Sequence, residues 1–314
     1  MQPRPRPEDY DFDLEETLDA VVGITAVIPD DAMTADVLGT ERSGNGVIID
    51  DGLILTIGYL ITEAETIWLS LSDGTVVPGH VLGYDQCTGF GLVQALARLK
   101  KNGLKFGDSS AVGIGEEVVV CGYGGLDHAV VAQIVAKQEF AGYWEYLLDE
   151  AIFTAPAHKH WGGTAIVNTA GDIIGIGSLQ VQQADSDSND LGLNMVVPIN
   201  LLKPILHDLK TIGRRSAPAR PWLGIYAADV NDNILVAGIA SGGPADNTEL
   251  AIGDIIVSVD GRHVSDLAQL FRYIWSLGDA GVDVPLRVHR EGHALDVVIE
   301  SVDRLDLLKP PIMH

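Results

Sequence analysis

The sequence predicts a mainly β protein built from two folded parts, and three observations carry that prediction. Its 314 residues exceed one ordinary domain and are enough to bury a sizeable core. From Val21 to about Val197, short apolar or alternating runs recur between Gly, Asp and Asn turns, the pattern of an all-β barrel or sandwich. Beyond a linker holding Gly213, Pro218 and two arginines the character changes to short strands with one amphipathic helix.

The elements follow in order. Pro3, Pro5 and Pro7 make the start an extended tail, and residues 15–22 read as a short helix. Strand-like runs come at 46–49, 53–56, 66–71, 76–81, 117–121 and 173–176. Asp50-Asp51-Gly52 and Ser72-Asp73-Gly74 are hairpin-type turns, because Gly accepts positive φ. A short closing helix is expected over 201–209, with Asn200 as its N-cap. A second helix should begin near Ser265-Asp266 and stop at Gly278, with Leu267, Leu270, Phe271 and Ile274 on one face. The domain plan is a tail at 1–19, a barrel at 20–210, a linker at 211–219, a second domain at 220–303 and a tail at 304–314.

Composition excludes several functions. The formal charge is −24, from 44 acidic against 20 basic residues. That balance repels phosphate backbones and anionic lipid, so nucleic acid and membrane surfaces are not expected partners. No apolar run approaches the roughly 20 residues that span a bilayer. The first residues lack the apolar stretch of a signal peptide, and the expected location is cytoplasmic. Cys87 and Cys121 form neither a disulfide framework nor a zinc motif, and no cofactor is called for.

Several motifs then occur in a specific order. Ser43-Gly44-Asn45-Gly46-Val47-Ile48-Ile49 leads through Asp51-Gly52 to Leu55-Thr56-Ile57-Gly58-Tyr59-Leu60-Ile61. Gly83-Tyr84-Asp85-Gln86-Cys87-Thr88-Gly89-Phe90-Gly91-Leu92-Val93 follows, and then Gly107-Asp108-Ser109 with Val112-Gly113-Ile114-Gly115-Glu116. Next come Ala157-His158-Lys159-His160-Trp161-Gly162-Gly163-Thr164, Gly171-Asp172-Ile173-Ile174-Gly175-Ile176, and 191–200. Residues 20–210 resemble bacterial HtrA-type proteases through these motifs. The resemblance implies a trypsin-like double six-stranded β-barrel and puts Tyr59, Gly89 and Trp161 where the family carries its His, Asp and Ser.

Triad chemistry needs a hydroxyl nucleophile, an imidazole base and an orienting carboxylate. An indole has no nucleophilic oxygen, a phenol of pKa near 10 is a poor base at neutral pH, and glycine has no side chain. The expectation is therefore a catalytically degenerate protein, not an enzyme, with Tyr59 and Trp161 filling the former cleft. Lys159 also replaces a glycine of the oxyanion loop. An endopeptidase with a rearranged nucleophile, either Thr164 or a serine from elsewhere, is the alternative. A metal site at His158 and His160 is another, since two imidazoles two residues apart on an extended segment point the same way.

Arg220-Pro221-Trp222-Leu223-Gly224-Ile225, Gly242-Gly243-Pro244-Ala245 and Gly253-Asp254-Ile255-Ile256-Val257-Ser258-Val259-Asp260-Gly261 are similar to the PDZ domains that close HtrA proteins. That likeness implies that Trp222, Leu223, Gly224 and Ile225 receive a polypeptide C-terminus, with the following strand adding the peptide along an open edge. The expected function is polypeptide binding, scaffolding or chaperone-like holding. A homo-oligomer, a trimer built through Tyr10 and Phe12, is also implied.

Overall fold

The computed structural model describes residues 3–182 and 192–311. Leu191, the first residue of one motif, and the extreme ends of both tails lie outside the described residues. Two compact units emerge. Unit 1 comprises Met1–Gln138, Glu150–Arg215 and Pro310–His314, and unit 2 comprises Glu139–Asp149 and Ser216–Lys309.

Unit 1 holds two closed six-stranded barrels. The first runs β1 (Val21–Val27), β2 (Glu41–Asp50), β3 (Leu53–Ile57), β4 (Thr66–Ser70), β5 (Val76–Tyr84) and β6 (Phe90–Ala95), closed in the order β1-β2-β3-β6-β5-β4. Closure leaves no open edge, and inward side chains such as Val47, Leu55, Leu69 and Leu92 are sealed from solvent. The second uses β7 (Glu117–Cys121), β8 (Ala129–Gly142), β9 (Tyr146–Ala155), β10 (Ala165–Val167), β11 (Ile173–Gln182) and β12 (Gly192–Pro198). Its core gathers Val118, Val120, Val130, Ile134, Ile152, Ile166, Ile174 and Val196. Gly52 (φ 67°) and Gly74 (φ 84°) turn the two hairpins in left-handed geometry.

The first helix, α1 (Leu14–Asp19), is shorter than 15–22 because Val21 and Val22 already belong to β1. A single-turn α2 (Ala35–Leu38) was not foreseen. The closing helix also differs from 201–209. A 3₁₀ turn at Ile199–Leu201 precedes α3 (Leu206–Ile212), so Asn200 caps nothing. Pro204 lacks an N–H and blocks a continuous helix through its position, and Gly213 at φ 74° ends α3.

Unit 2 is a sheet in the order β13-β14-β15-β17-β18, with β16 paired to β15. The strands are β13 (Ile225–Val230), β14 (Asn233–Ile239), β15 (Ile255–Val259), β16 (Arg262–His263), β17 (Asp283–Arg290) and β18 (His293–Glu300). Asp266 caps α4 (Leu267–Trp275) by accepting the Gln269 N–H at 2.7 Å, and Leu267, Leu270, Phe271 and Ile274 are buried. Leu147, from the tip of the β8–β9 hairpin, lies in the same core as Leu223, Ile225, Leu270 and Phe271.

Candidate functional site

Two constructions stand out, one in each unit. In unit 1, Tyr59 sits in a 3₁₀ turn at Gly58–Leu60 directly after β3. The buried Arg42 fixes that turn. Its guanidinium donates to the carbonyls of Tyr59 at 2.8 Å and Thr62 at 3.0 Å, and to Gly39 at 3.1 Å. It also donates to the Thr34 carbonyl and to the Thr34 hydroxyl, which in turn donates to Glu63 at 2.6 Å. None of the sequence motifs singles out Arg42, which enters β2 just ahead of Ser43.

Tyr59 and Trp161 come together. The Trp161 side chain hydrogen-bonds the Tyr59 hydroxyl, which donates its own proton to the Ser178 carbonyl at 2.7 Å. Burial pushes the phenol pKa well above its ordinary value, and the indole N–H offsets only part of that. The ring is therefore a fixed hydrogen-bonding post, not a proton acceptor. Gly89 lies next to this turn: its carbonyl accepts the Gly58 N–H at 2.6 Å and its N–H donates to Asp85 O at 2.7 Å. At φ 81° its backbone is left-handed, a geometry that favours glycine.

Asn45 of β2 laces the 160–162 loop in place. Its amide Nδ2 donates to the carbonyls of His160 at 2.8 Å and Gly162 at 2.9 Å, and its Oδ1 accepts the Tyr123 N–H. Tyr59 and Trp161 are each only half-buried and line a cavity of about 420 Å³ with Asn45, Tyr123, His160 and Gly162. The expectation of a filled cleft is thereby corrected. The two rings stand in its wall, held there by backbone hydrogen bonds, and leave the space before them open.

The two histidines do not converge as ligands. His158 is buried, its Nδ1 accepts the His160 N–H at 3.1 Å, and its Nε2 faces the His128 carbonyl at 3.0 Å. Nδ1 is then the acceptor and Nε2 carries the proton, so neither nitrogen offers a lone pair to a metal. Desolvation by burial also holds its pKa below the ordinary imidazole value. Thr164 is buried and its hydroxyl donates to Trp161 O at 2.9 Å. At the N-terminus, Phe12 packs on Gly171 and the Tyr10 hydroxyl donates to Glu117, so both rings are half-buried against this chain's own barrel.

In unit 2, Gly224 at φ 77° turns three successive amides toward one point. The N–H groups of Leu223, Gly224 and Ile225 lie 3.1, 2.7 and 3.0 Å from a carboxylate. That carboxylate is the side chain of Glu145, at the tip of the β8–β9 hairpin. The sequence reading missed it. The available signal was a lone acid in the otherwise uncharged run Phe140-Ala141-Gly142-Tyr143-Trp144-Glu145-Tyr146-Leu147-Leu148. Beside it, the Tyr143 carbonyl accepts the Ala227 N–H of β13 at 2.9 Å. The expected open edge is therefore corrected: the chain's own hairpin tip covers part of it. Trp222 is buried and exchanges two backbone hydrogen bonds with Val302.

Comparison with known proteins agrees with this architecture. Residues 44–176 match the trypsin-like peptidase domain and residues 221–300 match the PDZ domain. A probable periplasmic serine endoprotease, DegP-like, of Pseudomonas savastanoi pv. phaseolicola is 30% identical over 275 residues, covering 81% of this chain and 54% of that protein. The chain is thus similar to HtrA/DegP-type proteins in both of its domains. A serine protease Do-like HtrA of Lactobacillus helveticus is 25% identical over 292 residues, 84% of this chain and 69% of the relative. Among solved structures, the HtrA-type protease AlgW with decapeptide shares the fold, at 20% identity and a TM-score of 0.55, over 95% of this chain and 98% of that one. The chain spans about half the length of most of the DegP-like relatives it matches.

Two expectations are overturned by these relatives. The chain was expected not to be an enzyme, whereas its relatives are named serine proteases or serine endoproteases. It was expected to be cytoplasmic, whereas the DegP-like relatives are named periplasmic. No described helix is long and apolar enough to cross a membrane.

Proposed function

We propose that this HtrA-type protein binds polypeptides by their C-terminal carboxylate at the amides of residues 223–225, holding or scaffolding them. The observation that supports this reading is the convergence of three successive N–H groups on one carboxylate, within 3.1 Å. Preset N–H donors are suited to an anion, and β13 offers an edge along which a peptide strand could add where the hairpin tip does not cover it. Trp222 and the apolar side of α4 favour a hydrophobic final residue. In unit 1, Tyr59, Gly89 and Trp161 occupy the triad positions under this proposal, and the open cavity beside them would take extended polypeptide. The location that accompanies the proposal is the periplasm, as named for the DegP-like relatives.

Isothermal titration of the whole chain with acid and amide forms of one hydrophobic-ended peptide tests the reading. The amide should bind more weakly by about 1.5–3 kcal/mol, the range for a hydrogen bond to an ionised group. Equal affinities would remove the carboxylate from the recognition.

The relatives' names favour a second reading, endoproteolysis with a rearranged nucleophile. Trp161 provides no hydroxyl, and the nearest one on its loop, Thr164, spends its proton on the Trp161 carbonyl. Casein hydrolysis together with fluorophosphonate labelling decides it: a labelled residue within 161–164 would establish that reading.

A further inference from the structure

We propose that the β8–β9 hairpin tip is a resident pseudoligand: the Glu145 carboxylate occupies the amide cradle of residues 223–225, and a polypeptide C-terminus enters only by displacing it. This inference rests on the binding reading above and supplies its regulation.

Four features of unit 2 carry it. Glu145 uses both oxygens, taking the Leu223 N–H on both (3.1 Å each) and the Gly224 and Ile225 N–H groups on Oε1. Those are the contacts a chain-terminal carboxylate would need. The backbone two residues earlier also bonds the sheet's edge strand, since Tyr143 O accepts from Ala227 N at 2.9 Å. Glu145 is itself 5% exposed and held at φ 58°, a left-handed conformation costly for a residue with a side chain. That strain is maintained by the cradle's hydrogen bonds and by Leu147, which is buried in the core of the unit. Finally, Arg272 of α4 pairs with Glu139 at 2.5 Å and Asp149 at 2.6 Å, gripping the hairpin on both sides of its tip.

A carboxylate supplied in cis competes at a high effective concentration, so a peptide sees only the fraction of molecules whose cradle is vacant. If that fraction is about 1–10%, apparent affinity falls about ten- to a hundredfold below its intrinsic value.

The test uses the whole chain in three forms: wild type, Glu145→Gln and Glu145→Ala. Hydrogen exchange at the amides of residues 223–225 is read without peptide, and acid and amide peptides are then titrated. The expected result is slow exchange in the wild type and faster exchange in Glu145→Ala. Acid-peptide affinity should rise about tenfold or more in Glu145→Ala, with no matching gain for the amide, whereas Glu145→Gln, which keeps a neutral acceptor in the cradle, should gain less. A double Glu139→Gln, Asp149→Asn variant loosens the hairpin without touching the cradle, and should raise affinity in the same direction. Acid-peptide affinity equal in all forms would overturn the pseudoligand while leaving the binding reading intact. Faster exchange in Glu145→Ala with no peptide bound by any form would overturn C-terminus recognition itself. Unchanged exchange would show that Glu145 does not hold the cradle.

Discussion

Arg42→Ala should destabilise unit 1 by about 3–5 kcal/mol, the cost of removing one member of a buried charged group. The magnitude follows from its surroundings. Arg42 is 5% exposed and Glu63, one hydroxyl away through Thr34, is 6% exposed. The change strips a charged donor from the carbonyls of Gly39, Thr34, Tyr59 and Thr62, each worth about 1.5–3 kcal/mol singly but strongly non-additive. Lysine is no substitute, because one ammonium cannot reach both the 34–39 segment and the 59–62 turn. Hydrogen exchange read by mass spectrometry reports the loss segment by segment, which keeps unit 1 separate from unit 2. Protection in β1 to β6 should drop, and the turn bearing Tyr59 should exchange soonest. A loss below about 1 kcal/mol, with the Tyr59 turn still protected, would refute the claim that Arg42 organises this side of the cleft.

Other outcomes follow from the same geometry. Trp161→Ala should cost only about 1–2 kcal/mol in urea unfolding, less than the 3–5 of a sealed tryptophan, because the ring is half-buried beside an open cavity. Gly163→Ala should cost more than about 2 kcal/mol by the same assay, since φ is 77° and a Cβ would overlap the Asn45 carbonyl oxygen. Peptide binding should depend on pH through Glu145, whose pKa burial pushes up to about 7 against the opposing pull of the three amides. Arg304 favours its ionised form, and the Tyr226 phenol of β13 faces it without charge at neutral pH. A carboxyl raised in the closed state stabilises closure fully below its ordinary range and loses that contribution as pH rises through about 7. Acid-peptide affinity should therefore increase from about pH 5 to pH 8 in the wild type and stay flat in Glu145→Gln, as followed by titration at each pH.

What the sequence made legible was whatever repeats or punctuates. The 46–49 and 53–56 runs fell inside β2 and β3 because apolar alternation and Gly52 define a hairpin without outside help. The α4 cap was readable because Asp266 precedes an apolar stripe at helical spacing. The closing helix starts later than its apolar spacing suggests because Pro204 interrupts the 201–209 run. Tyr59 and Trp161 could be paired from motif order, but their half-exposed state depends on Asn45 and Ser178, which lie far off in sequence. Glu145 was invisible for a similar reason. Its partners stand 78 to 80 residues later, and nothing periodic connects a hairpin tip to Leu223, Gly224 and Ile225.

The hairpin tip has a practical consequence for dissecting this gene. Because Glu139–Asp149 folds as part of unit 2, that unit is discontinuous along the chain. A clone starting near Ser216 would carry a domain with a piece missing. It would lack Leu147 from its interior and show bare amides at residues 223–225. Such a fragment would tend to be sticky and to bind carboxylates indiscriminately, and its affinities would describe an excision product. Inserting 139–149 through a designed linker, or trimming the hairpin in the intact gene, are the cuts that respect how the polypeptide is partitioned.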